Sequence, residues 1–222
     1  MINDVLIIKK DVKNIILKVK PNGEASIIAP KDTSDEYIQK ILVKRADWIE
    51  QKRERFLRFQ KKEKAYISGE SLSYLGRQYK LKIIQANEEC VKLQRNYLEV
   101  YVKNTDDIKL RKSLIEQWYH QRALVVFDEI FTRFNQITKK EVKKFAIRKM
   151  KTRWGSCNAF KSYIHINSEL IKKPKICIEY VIFHELTHMI FPNHSKNFYN
   201  YLSYYMRDWK ERKECLENYN KE

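Results

Sequence analysis

Glycine is scarce in this chain, with four in 222 residues. None falls in a G-x-x-x-x-G-K-[ST] arrangement, and no carboxylate cluster is spaced for magnesium, so the usual cradle for a nucleotide's phosphates is missing. The four cysteines, Cys90, Cys157, Cys177 and Cys215, include no C-x-x-C pair. That excludes a four-cysteine zinc site and leaves them as small buried hydrophobes in a reducing compartment. No apolar run approaches the roughly 18 residues of a membrane span. The opening MINDVLIIKKDVKN meets charge too early for a signal peptide. These absences lead to the expectation of a soluble, cytoplasmic protein with no membrane partner.

Acidic charge is also short, 28 residues against 45 basic ones, for a net +17. The excess is uneven: Lys139 to Lys175 holds twelve basic residues against Glu141 and Glu169, a local +10. This is either a solubilising face or the electrostatic footprint of a nucleic acid or other polyanion. Hydrophobic residues at 43% and aromatics at 13% are globular in proportion, enough for one large domain or two small ones.

The first hundred residues read as strands with one helix. NIILKVKPNGEASIIAP carries two apolar runs around Pro21-Asn22-Gly23, a hairpin signal. From Ser34 to about Lys64, Ile38, Ile41, Leu42, Trp48, Ile49, Phe56 and Phe59 recur at helical spacing. Alternation returns in YISGESLSYLGRQYKLKIIQA and CVKLQRNYLEVYVK. A second helix is predicted over 105–137, where Leu110, Leu114, Trp118, Val125, Ile130 and Phe134 recur. FAIRKMKTRWGSCN and SYIHINSEL predict two strands joined near Asn158–Lys161. Pro174 suits the first turn of a further helix, which Pro192 cannot continue. Ser195 then caps a last helix with Phe198, Leu202, Tyr205, Met206 and Trp209 on its apolar face. The expected division is a β-rich part with one helix over 1–104, then a helix and a catalytic domain over 105–222.

Three of the five histidines fall in HELTHMIFPNH. On a helix, residues four apart share a face, so His184 and His188 can aim at a common ion. Zinc takes nitrogen at about 2.0–2.1 Å in a tetrahedron, and a catalytic site keeps one position for water. Glu185, turned about a hundred degrees from His184, reaches the open side and can take that water's proton, the task of the glutamate in H-E-x-x-H. His194 is the first candidate for the third ligand, returned by the turn at Phe191-Pro192-Asn193. Its rivals are Asp208 and Glu211 on the last helix.

H-E-L-x-H followed by N-H-S and an aromatic, with W-G-S-C and I-x-I-N-x-x-L before it, resembles the YgjP-like metallopeptidase family, a relative of the SprT-like and WLM zinc peptidases. The matching residues are Trp154 to Cys157, Ile164 to Leu170, Tyr180-Val181, His184 to His188, Asn193 to Ser195 and Asp208 to Arg212. Earlier, Gly69-Glu70 and Tyr74 to Gly76 fit more loosely, and Arg207 stands where the pattern has proline. The resemblance implies one zinc ion on His184, His188 and His194, Glu185 as catalytic base, and a protein or peptide substrate. It also implies an α+β, zincin-like fold, a small antiparallel-rich sheet packed on the metal-bearing helix.

Two other functions remain open at this stage. The same site could hydrolyse an anionic substrate such as a nucleoside triphosphate, or belong to a nucleic-acid-associated, protease-like module that binds through 139–175. Trp154 to Cys157 reads either as a cleft lining, since glycine lets a backbone approach closely, or as a packed strand end. Cys157 is not a convincing nucleophile, and His120 and His165 read as packed or surface histidines. Tyr199, Tyr201, Tyr204 and Tyr205 are mainly helix packing, one of them a candidate oxyanion donor. Asn167 and Glu179 are conceivable partners of the ligand imidazoles.

Overall fold

The fold is seen in a computed structural model, which describes residues 4–20, 22–59 and 64–218, the side chains of 55–59 excepted. Pro21 and the side chains of Phe56 and Phe59 thus lie outside what is described. The chain forms two compact units, Met1–Lys64 and Ala65–Asn220. The sequence boundary at 104/105 would part a sheet from the helix it packs on. Leu98, Val100 and Val102 share one core with Ile115, Phe127 and Phe183, so burial joins 65–104 to the rest.

In the first unit, β1 (Leu6–Lys10) lies parallel and β2 (Ile16–Val19) antiparallel to the central β3 (Ala25–Pro30). Period-2 alternation on β3 buries Ala25, Ile27 and Ala29 with Ile38, Leu42 and Ile49. The single helix expected over 34–64 is two, α1 (Asp35–Lys44) and α2 (Ala46–Phe59). Ser34 Oγ caps α1 by accepting from Tyr37 N at 3.3 Å. The break falls at Arg45, whose backbone leaves helical geometry at φ −107° and ψ 8°.

The second unit begins with β4 (Ser71–Tyr74), β5 (Arg77–Gln85), β6 (Cys90–Gln94) and β7 (Tyr97–Val102), in the order β4-β5-β7-β6. Helix α3 (Ile108–Thr138) follows, close to the range its periodicity predicts. Asp107 Oδ1 caps it by accepting from Leu110 N at 2.9 Å. The segment 145–158, read as one strand, falls in two: β8 (Lys144–Arg148) and β9 (Gly155–Asn158), joined by a six-residue loop. With β10 (Tyr163–Asn167) they form a sheet ordered β8-β10-β9, β8 parallel and β9 antiparallel to β10. All three sheets are mixed, and the small one, β8-β10-β9, has one parallel and one antiparallel pairing rather than being antiparallel-rich.

Helix α4 (Lys175–His188) is apolar nearly all round, with Cys177, Ile178, Val181, Ile182, Phe183 and Leu186 buried. Such a helix belongs inside a core. Its start is held by the β4–β5 turn, where Leu75 N donates to Ile171 O at 3.0 Å. Gly76, at φ +81°, lies so close that a Cβ would stand 2.8 Å from Pro174 Cγ. Beyond α4 come α5 (Lys196–Tyr205) and α6 (Trp209–Asn218), where one last helix was expected. Met206 breaks the run at φ −141°, and its carbonyl accepts from Trp209 N at 3.1 Å. Tyr205 is consequently 44% exposed instead of lying on an apolar face. Among the described residues no helix is long and apolar enough to cross a membrane.

Candidate metal centre

Helical spacing stacks His184 and His188 on one face of α4, and the chain past the helix brings His194 back to them. Phe191 N still donates to Thr187 O at 2.9 Å, Pro192 stops the helix, and Ser195 N bonds Asn193 O at 2.8 Å. Ser195 Oγ then accepts from Phe198 N at 3.4 Å and starts α5. The outcome is a triangle of Nε2 atoms, 3.2 Å between His184 and His188, 3.1 Å between His188 and His194, and 3.0 Å between His194 and His184. The Phe198 ring, fully buried, lies 5.0, 4.7 and 4.8 Å from the three imidazoles and forms their floor.

The donor set fits a metal ion. His188 Nδ1 lies 3.1 Å from the carbonyl of Phe191, and a proton there leaves the Nε2 lone pair facing inward. Burial, with His188 and His194 alongside, lowers the His184 pKa to about 3, and burial also lowers that of His188. His184 and His188 therefore present neutral nitrogens to the centre of the triangle, an arrangement that a shared cation stabilises. Tetrahedral zinc at about 2.0–2.1 Å from nitrogen sets its ligands about 3.3 Å apart, close to the edges of the triangle. His184 Nδ1 is buried with no hydrogen-bond partner among the described residues, so packing against Phe198 and Tyr180 orients that ring.

Glu185 projects from α4 toward β9 and is 7% exposed. Its neighbour is the backbone of Gly155, where a Cβ would stand 2.6 Å from Glu185 Oε1 and 2.7 Å from its Cγ. Any larger residue at 155 would need that space, so W-G-S-C serves both as a strand start and as a wall of the site. Burial pushes the Glu185 carboxyl up to about 8, with Arg153 opposing the rise. Burial and the Glu185 charge together push the Cys157 thiol up to about 11, so it stays protonated and is no nucleophile.

The rival ligands are placed elsewhere. Asp208 pairs with Arg212 Nε at 2.8 Å, and neither it nor Glu211 joins the histidine cluster. Glu179 does not touch the imidazoles: it bonds Arg133 of α3 at 2.7 Å and Arg212 of α6. Asn167 instead holds the loop between β8 and β9. Its Nδ2 donates to the carbonyls of Met150 and Arg153 at 2.9 Å each, and its Oδ1 accepts from Met150 N at 3.3 Å and Glu169 N at 3.2 Å. Of the four tyrosines, Tyr199 alone stacks on a ring of the histidine cluster, that of His194, at 6.0 Å. Tyr204 is 76% exposed. His120 is exposed on α3, and His165 lies half-buried on β10. Sequence reasoning missed two residues, Phe198 as the floor and Tyr180, whose ring is 5.6 Å from that of His184. The i−4 spacing of Tyr180 from His184 was the available signal.

The model of the family described as YgjP-like, metallopeptidase domain, matches residues 13–219 of this chain. Comparison with curated proteins gives no match.

Proposed function

We propose that this chain, which belongs to the YgjP-like metallopeptidase family, hydrolyses peptide bonds with one zinc ion held by His184, His188 and His194. The observation that carries the reading is the triangle of three Nε2 atoms within 3.2 Å of one another. Three imidazoles suit zinc and leave a fourth position open, the pattern of a catalytic site. A bound zinc would supply a Lewis acid for the peptide carbonyl and make the attacking water more acidic.

Glu185 is the general base, taking the proton of the attacking water and passing it to the leaving amine. Burial raises its affinity for a proton, while a cation on the neighbouring rings favours the carboxylate. The opposing effects suit a group that must accept a proton and then release it. Phe198 excludes water beneath the rings, and Gly155 lets β9 close over the carboxylate. The architecture proposed is zincin-like: the sheet β8-β10-β9 with edge strand β9 against the metal-bearing α4, all within 105–222.

The test is Glu185→Gln, with zinc content and peptide hydrolysis measured on the same preparation. The expected result is full zinc with at least a hundredfold loss of kcat. Full activity in that variant would remove Glu185 from the role.

A further inference from the structure

The basic excess of 139–175 is not spent evenly. Lys172 bonds Glu169 at 3.0 Å, Lys175 pairs with Glu129 at 3.1 Å, and Lys173 lies over the Trp154 ring at 5.4 Å. Lys149 reaches Glu116 only at 3.9 Å. Lys151 and Arg153 are exposed and form no ion pair with any described residue.

These two cations stand on a loop that the fold fixes. Asn167, 5% exposed, clasps the carbonyls of Met150 and Arg153 at 2.9 Å, and Asn167 N donates to Trp154 O at 2.9 Å. Two residues after Arg153 the loop becomes Gly155, against Glu185. Two residues span at most about 7 Å, which brings a guanidinium on its long stem within reach of a substrate lying beside the carboxylate.

We infer that Arg153, with Lys151 beside it, is a specificity-determining cation that binds a carboxylate of the peptide substrate near the bond to be cut. The inference rests on the peptidase reading above. A guanidinium takes a carboxylate bidentately, which gives geometric selection as well as charge. Fixing the loop backbone reduces the ordering needed on binding.

The test uses the zinc-loaded full chain and peptides acetylated and amidated at their ends, each with one Asp moved position by position past the scissile bond. Matched Asn peptides are the reference, and a further set has a free terminal carboxylate. Wild type should cleave the best Asp peptide, or the free-terminus peptide, with kcat/KM at least about tenfold above its neutral match. Which set responds tells a side chain from a chain terminus. Arg153→Gln should bring that ratio close to one, and Arg153→Glu should shift preference to Lys in place of Asp. Because each ratio is taken within one enzyme, a general loss of activity does not affect it. Equal cleavage of Asp, free-terminus and neutral peptides by wild type, or an unchanged ratio in Arg153→Gln, overturns the inference alone. Hydrolysis of no peptide, or of nucleoside triphosphates in their place, overturns the peptidase reading and the inference with it.

Discussion

Asn167 fixes the loop that leads into the site, and its removal can be worked through. Its side chain makes four hydrogen bonds, two at 2.9 Å to the carbonyls of Met150 and Arg153 and two longer ones from Met150 N and Glu169 N. A net contribution of about 0.5–1.5 kcal/mol per bond, weighted to the two short ones, makes Asn167→Ala about 2–4 kcal/mol less stable. For a domain of 150–250 residues each kcal/mol moves Tm by about 2–4 °C, so the fall should be roughly 5–15 °C. Asn167→Asp should be worse although it is nearly isosteric, because an acceptor oxygen then faces two carbonyls at the same distance and a charge is buried. The assay is thermal and urea unfolding of both variants, with hydrogen exchange at the Met150 amide as the local readout. Zinc content should hold while kcat falls, since α4 and the turn into α5 carry all three histidines. An Asn167→Asp protein melting within about 1 °C of wild type would show that the loop is held by something else.

Gly155→Ala should cost at least tenfold in kcat with zinc retained, because its Cβ would stand 2.6 Å from Glu185 Oε1; single-turnover assays with parallel metal analysis check this. Phe198→Ala opens a hole under the imidazoles and should lower stability by about 3–5 kcal/mol and weaken zinc binding, whereas Phe198→Leu should do less of both in denaturant titration and chelator competition. Burial alone would raise the Glu179 pKa, but the hydrogen bonds from Arg133 and Arg212 outweigh it and hold the carboxyl below its ordinary value. A depressed folded pKa adds stability above the ordinary carboxylate range, lost as pH falls through the folded value. Glu179→Gln should therefore be less stable than wild type at pH 7, and urea midpoints should converge as the pH falls below the ordinary carboxylate range.

The elements that could be read from sequence are those whose cause is local. Helix α3 follows its own period because one face, Ile115, Tyr119, Ala123, Val126, Phe127, Ile130 and Phe134, is buried along its whole length. The histidine cluster spans eleven residues, so helical spacing and one proline-led turn nearly determine it. The breaks at Arg45 and Met206 leave the hydrophobic pattern nearly continuous, and no proline or glycine marks them. They belong to backbone geometry that periodicity does not report. The parallel pairing of β8 with β10 joins residues about nineteen apart. Alternation marks a strand but does not name its partner, so two strands were merged and the loop between them went unseen.

That loop matters to the chemistry more than its sequence suggests. A carboxylate next to a ligand histidine reaches the open side of the metal by helical geometry alone, but geometry does not bury it. Burial comes from β9, which can close on Glu185 only where the residue has no side chain, at Gly155. The strand is brought there by a loop whose carbonyls are clasped by Asn167, an amide that the sequence offered only as a conceivable partner of the imidazoles. On the proposed reading the motif on α4 supplies the reacting groups, while burial by contacts from outside it raises the proton affinity of the Glu185 carboxyl. An isolated α4 peptide would keep the spacing of H-E-x-x-H and lose that environment. Its glutamate would titrate near an ordinary value of about 4.3, a poor proton acceptor at pH 7, so in the site proposed above the strand counts as much as the helix does.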